Sequence, residues 1–192
     1  MQRALRAVNY SCHSPANKPQ LAVKPGEVFV AETELCSGDW LHSIDDLWAP
    51  EKRNALNPTV VVYVEGANPG DLLAVEILEV VPDKLGYTGL SPEHNKLMNK
   101  IMEYDWGMNT KTVAIADGHV LWSDKLKLPI SPMVGTLGTA PAEGEIGNAY
   151  GGMHGGNMDA QELCAGTTVF LPVEVEGALL HIGDCHALQG DG

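Results

Sequence analysis

The chain has 192 residues, with 25 Asp+Glu against 12 Lys+Arg and a formal net charge of −13. That balance repels nucleic acid and anionic membrane surfaces and favours a small neutral or cationic partner. Hydrophobic residues make up 44% of the chain, enough to build a core, and no run reaches the ~18 apolar residues of a membrane span. The opening "MQRALRAVNYSCHSP" has two Arg but no apolar run after them, so it is not a standard signal peptide. Cys12, Cys36, Cys164 and Cys185 show no C-x-x-C spacing, and reduced thiols in a cytoplasm are the expectation.

Strand signals dominate from the start. "LAVKPGEVFVAETEL" (21–35) is an apolar run, a Pro-Gly turn and a second run. The segment 38–58 has mixed charge and no period, and reads as a long loop over a sheet. "TVVVYVEGANPGDLLAVEILEVV" (59–81) repeats the run-turn-run arrangement, with Asn-Pro-Gly-Asp as its punctuation. "SPEHNKLMNKIMEYD" (91–105) is the best helix candidate: Ser91 can cap, Pro92 suits the first helical position, and Leu97, Ile101 and Tyr104 share a face. "TVAIADGHVLW" (112–122) sets Asp-Gly between β-branched runs, a hairpin signal. "NMDAQELCAG" (157–166) is a short second helix candidate ending at Gly166, and "TTVFLPVEVEGALLHIGD" (167–184) is another pair of runs around Glu-Gly.

The unit Lys24-Pro25-Gly26-Glu27 before one strand lines up with Asn68-Pro69-Gly70-Asp71 before another, and Cys164-Ala165-Gly166-Thr167 is a fainter third. Such a repeated turn is either a common way to enter a strand or the sign of a repeated unit. The expected architecture is mainly β, a β-sandwich or barrel-like assembly of antiparallel strands with one or two short helices. No low-complexity linker divides it, so residues 1–192 are expected to form a single domain.

Two stretches can carry chemistry. "YGGMHGGNMD" (150–159) has four Gly in seven residues and displays His154, Asn157 and Asp159. It lacks the spacing of a dinucleotide or phosphate loop, and it reads either as a close-approach loop or as a turn whose Asp159 caps a helix. "HIGDCHALQGDG" (181–192) follows an apolar strand start. Residues two apart on a strand share a face, so Asp184 and His186 project together while His181 and Cys185 turn away. An Asp-x-His pair is half of a metal site, and His154 or Asp159 are the donors to complete it. Cys185 as a nucleophile is a weaker alternative. His13 and His42 are read as ordinary histidines, and the acids Asp39, Asp45 and Asp46 as solvated or as a loop for a second cation such as Ca²⁺.

Together "VEGANPGDLLAVEI" (64–77), "PMVGTLGTAP" (132–141), "HGGNMD" (154–159) and "LPVEVEGALLHIGDCHALQGDG" (171–192) resemble the acetamidase/formamidase family, in order and rough spacing, from about residue 10 to the end. The resemblance implies a β-rich fold, hydrolysis of short linear amides such as formamide or acetamide to ammonia and carboxylate, a divalent metal of the Zn²⁺ kind, and a homo-oligomer. Under it, His154, Asp184 and His186 are the expected metal ligands, with Asp159 a further ligand or the general base. Asn157 and the backbone of Gly155 and Gly156 are oxyanion donors, Gln189 a substrate contact and Asp191 a second acid. Family members continue with Glu after "GDG", which implies a C-terminal region or a partner chain beyond Gly192. A competing expectation is a non-catalytic β-sandwich binding module of the same fold.

Overall fold

The computed structural model describes residues 1–90, 98–101 and 107–190. In chain order its strands are β1 (Gln2–Ala4), β2 (Cys12–His13), β3 (Leu21–Val23), β4 (Phe29–Ala31), β5 (Thr59–Val64), β6 (Leu72–Glu76), β7 (Leu85–Leu90), β8 (Asn109–Ala116), β9 (His119–Ser123), β10 (Leu126–Pro129), β11 (Met133–Gly138), β12 (Ile146–Gly147), β13 (Gly151–Gly152), β14 (Gly155–Asn157), β15 (Thr168–Pro172) and β16 (Leu180–His186), with one helical turn, α1 (Met98–Ile101). The fold is mainly β, built of several largely antiparallel sheets, and none of them closes into a barrel. Two pairings, β1 with β4 and β3 with β5, are parallel. No helix among the described residues is long and apolar enough to cross a membrane, and no cysteine forms a disulfide.

The chain forms two compact units. The first comprises Met1–Asp39, Asn54–Pro82 and Ser131–Gly192, the second Trp40–Arg53 and Asp83–Ile130. The second unit is a sheet in the order β10-β9-β8-β7. Asp117 and Gly118, both at positive φ (50° and 72°), turn the β8–β9 hairpin, as two-residue turns that match strand twist require. Within the same unit, Trp40 and Trp48 are buried, with ring centroids 5.0 and 6.3 Å from Tyr87. The expected loop over 38–58 carries only a 3₁₀ turn at Pro50–Lys52.

The first unit holds a six-stranded sheet in the order β13-β14-β11-β16-β5-β3. Its centre explains the unbroken apolar run "TVVVYV". Strand alternation sends Val60, Val62 and Val64 into one core cluster with Leu137, Leu171 and Leu180, and Val61 into another with Ala140 and Leu179. All six residues of β11 are buried.

The three look-alike turns are alike in structure. In each, the fourth N–H donates to the first carbonyl (Glu27 to Lys24, 3.0 Å; Asp71 to Asn68, 3.0 Å; Thr167 to Cys164, 3.1 Å), and the third residue is a Gly at φ 82°, 95° or 92°. These are the features of a type II turn. Two of the turns launch β6 and β15, which pair antiparallel from Leu72↔Pro172 to Glu76↔Thr168. The ladder is closed the same way at both ends. Gly70 N–H donates to Val173 O and Val173 N–H to Asp71 O; Gly166 N–H donates to Ile77 O and Ile77 N–H to Thr167 O. An offset of 96 residues relates the two halves, which makes a local two-fold within one chain.

The helix expectations fare unequally. Of 91–105, only Met98–Ile101 falls within the described residues and it is helical; the remainder lies outside them. The expected helix over 157–166 is absent. Met158 and Asp159 both donate N–H to Gly135 O (3.0 and 3.1 Å), and Asp159 sits at φ 46°. These bonds hold the segment onto β11, and a residue at positive φ cannot continue a right-handed helix.

A carboxylate and histidine centre on β11, β14 and β16

β16 lies between β11 and β5 in antiparallel register, with Met133 opposite His186 and Thr136 opposite Gly183. Asp184 is buried and His186 half-buried. Asp184 is at φ 52°, a left-handed conformation that Asp tolerates better than most residues. His186 Nε2 stands 3.3 Å from Asp184 Oδ1 and 3.3 Å from Asp159 Oδ1. Asp159 arrives from the end of β14, held by its N–H on Gly135 O. One ligand atom from each of Asp159, Asp184 and His186 lies within 4.8 Å of the others, and among the described residues no other three His, Cys, Asp or Glu donors converge so.

The set is under-bonded. Asp159 Oδ1 and His186 Nε2 are buried without a hydrogen-bond partner. Burial works against charge on His186, but the carboxylates of Asp159 and Asp184 outweigh it and raise its pKa to about 10. Such a set attracts positive charge, whether a proton or a metal ion.

Gly135 makes the space. A Cβ on it would lie 2.7 Å from Asp184 O and 2.8 Å from both Asp159 Oδ1 and His186 Nε2. A side chain at this point would therefore occupy the hollow against which the donors converge. Two carboxylates and one imidazole suit Zn²⁺ and related divalent ions, and the orphaned oxygen and nitrogen are the atoms a cation would satisfy.

His154 is placed elsewhere. It precedes β14 whereas Asp159 follows it, and an extended strand carries the chain ~3.3 Å per residue. Its ring packs edge-on against His13, centroids 4.9 Å apart, and His13 packs on His181 at 4.5 Å. All three rings are buried. His181 is bonded at both nitrogens: Nδ1 lies 2.7 Å from Leu179 O, and Nε2 lies 2.9 Å from Asn17 Nδ2. The carbonyl can only accept, so Nδ1 carries the proton and Nε2 accepts from Asn17. Both nitrogens of His13 and Nε2 of His154 have no hydrogen bond. Burial lowers the pKa of all three, aided for His13 by its neighbours His181 and His154, to about 3 for His13 and about 4 for His181. The sequence reading passed over His13, whose one signal was its place in the short strand "CH".

Among the other candidates, Asn157 lies on β14, paired with Thr136 of β11. Gly155 and Gly156 are buried, flanked by β11 on one side and β13 on the other. Gln189 lies three residues past β16, half-buried, and Asp191 falls outside the described residues. Cys185 pairs with Val134 across β11 and is exposed. In the other unit, Asp46 Oδ2 accepts the N–H groups of His42 and Ser43 at 2.8 Å each, so this acid serves its own loop.

A sequence profile of the acetamidase/formamidase family matches residues 8–148 and 148–192. The chain belongs to this family. It is similar to an acetamidase from Mycolicibacterium smegmatis, 27% identical, with 88% of this chain aligned to 57% of that one. The crystal structure of an acetamidase from Bacillus halodurans superposes with a TM-score of 0.90 at 36% identity, over 99% of this chain and 63% of that one. A predicted acetamidase/formamidase from Thermoanaerobacter tengcongensis gives 0.89 at 38% identity, over 100% of this chain and 62% of that one. The chain spans about half the length of the curated relatives it matches.

Proposed function

We propose that this chain carries the hydrolytic centre of a metal-dependent amidase for short linear amides of the formamide or acetamide type, releasing ammonia and the carboxylate. The observation that carries the reading is the convergence of Asp159, Asp184 and His186 around the hollow left by Gly135, in a chain of the acetamidase/formamidase family.

An amide resists attack because its nitrogen donates into the carbonyl and leaves poorly. A divalent ion of the Zn²⁺ kind, when bound, would polarise the carbonyl oxygen and lower the pKa of water. Asp184, His186 and Asp159 are the residues that would hold it. The carboxylate of Asp159 also serves as the proton carrier, taking the proton of the attacking water and handing it to the departing nitrogen. The carboxamide of Asn157 donates to the carbonyl oxygen as negative charge builds there. The substrate is small and neutral, and the working protein is a homo-oligomer in the cytoplasm.

The test is metal analysis of the purified chain together with ammonia release from formamide. Stoichiometric metal and ammonia are expected. A chain that takes up no Zn²⁺ and makes no ammonia, alone or with the C-terminal region of a longer relative, sinks the reading and leaves the binding-module alternative.

A further inference from the structure

The main-chain oxygen of Asp184 stands where β16 loses its partner strand. Thr59 and Val61 turn their backbone groups away from β16: Thr59 exchanges both bonds with Tyr10 (2.9 and 3.0 Å), and Val61 O accepts from Gln20 N–H at 2.9 Å. Alternation along β5 therefore turns Val60, Val62 and, one step before the strand, Pro58 toward β16. The register pairs Val62 with Leu180 and Val60 with Ile182, and two residues further it sets Pro58 against Asp184. Proline has no N–H, so the bond this position would give to the Asp184 carbonyl cannot form.

β11 turns away as well. Gly135 lies opposite Asp184, between the Val134↔Cys185 and Thr136↔Gly183 pairs, and its carbonyl faces the other side, where it accepts from Met158 and Asp159. Here Asp184 leaves the extended conformation for φ 52°, a strain that persists only where the surroundings enforce it. Its oxygen lies 2.7 Å from the point where a Cβ on Gly135 would stand, and Asp159 Oδ1 and His186 Nε2 lie 2.8 Å from that same point. A carbonyl oxygen, a carboxylate oxygen and an imidazole nitrogen thus surround one point at nearly equal distances.

We infer that the main-chain carbonyl of Asp184 is a ligand of the divalent ion at this centre, so that Asp184 grips the ion with two oxygens, one from its carboxylate and one from its backbone. The inference rests on the reading of the centre as a metal site. Main-chain carbonyls are ordinary oxygen ligands of divalent cations. A buried carbonyl without a partner is costly, and the cation takes the place of the N–H that Pro58 lacks. Pro58 is the positioning residue: by withholding a donor it leaves the Asp184 oxygen to the ion. A ligand that belongs to the backbone of β16 is also held by the sheet and does not depend on a side-chain rotamer.

Asp184–Cys185 is the one Asp-Cys peptide in the chain, and Asp159–Ala160 the one Asp-Ala peptide. The whole chain, labelled with ¹³C at its Asp carbonyl carbons and ¹⁵N in Cys and Ala, therefore gives one carbonyl–amide NMR peak for each of the two acids. Zn²⁺ is added, with its uptake followed by calorimetry. The Asp184 carbonyl carbon is expected to move downfield as the ion binds, while that of Asp159, which binds by its side chain alone, holds still. Pro58→Ala restores the missing N–H and should weaken Zn²⁺ binding about 10-fold, with a smaller Asp184 shift. Bound Zn²⁺ with an Asp184 carbon that stays put, or that moves no further than the Asp159 carbon, would overturn the inference and leave the metal reading standing. A chain that takes up no Zn²⁺ defeats both.

Discussion

Gly135→Ala adds a single methyl group where the centre is tightest. The new Cβ would sit 2.7 Å from the backbone oxygen of Asp184 and 2.8 Å from Asp159 Oδ1 and His186 Nε2. Ordinary contact begins at 3.4 Å, so each atom must retreat by about 0.6 Å, and metal sites tolerate only ~0.2 Å of error in ligand distance. The carboxylate and imidazole can swing away; the Asp184 carbonyl cannot, because β16 is anchored to β11 and β5. Overpacking of this kind costs about 1–3 kcal/mol of stability, and Zn²⁺ affinity should fall about 100-fold or more, in line with the loss expected when a site's support is disturbed. Isothermal titration with Zn²⁺ and thermal melts of the metal-free chain read the two effects separately. Unaltered affinity and stoichiometry in Gly135→Ala would refute the placement of the ion; an unaltered melt would refute the steric argument itself.

Asp184→Asn removes a buried donor at nearly constant volume, and should abolish Zn²⁺ retention after dialysis and ammonia release while leaving the circular dichroism spectrum intact. The histidine cluster makes stability depend on pH. Since the folded pKa of His13 is about 3 against about 6.5 unfolded, only the unfolded chain binds the proton between those values. The contribution of these buried neutral histidines is therefore full above pH ~6.5 and falls by about 1.4 kcal/mol per pH unit per group below it, a loss of about 5 kcal/mol for His13 by pH 3. Urea titrations at pH 7 and pH 5 should show this slope, and His13→Gln should flatten it by one proton; an identical slope in the variant excludes His13 as its source. Leu137→Ala, at a position 1% exposed in the larger core cluster, should cost about 2–5 kcal/mol in the same titrations.

Punctuation and period were the legible parts of the fold. The Pro-Gly, Asp-Gly and Glu-Gly turns mark strand ends because positive φ is a local demand that glycine meets by itself. The Asp184–His186 pair was legible too, since alternation along a strand is equally local. Partnerships were less so: β3 runs parallel to β5, and β15 joins β6 rather than its neighbour β16, outcomes set by packing across long separations. The helix expected over 157–166 failed for the same reason. Its propensity was outweighed by two backbone bonds to Gly135, a residue more than twenty positions earlier. His154 looked like a ligand by its company in the glycine-rich run, but β14 carries it away from Asp159 and toward His13. Gly135 itself, having no side chain, gave no chemical signal.

The two-fold of β6 and β15 gives this chain a built-in replicate experiment. Gly70 and Gly166 have the same φ to within a few degrees, the same hydrogen bonds, and open space where a Cβ would go. A substitution at one has its twin at the other, in the same molecule and the same ladder, so any difference between the twins measures what the rest of the protein adds. The ladder is in effect a homodimer whose subunits share a chain, and its symmetry is one the surrounding sheet has no part in.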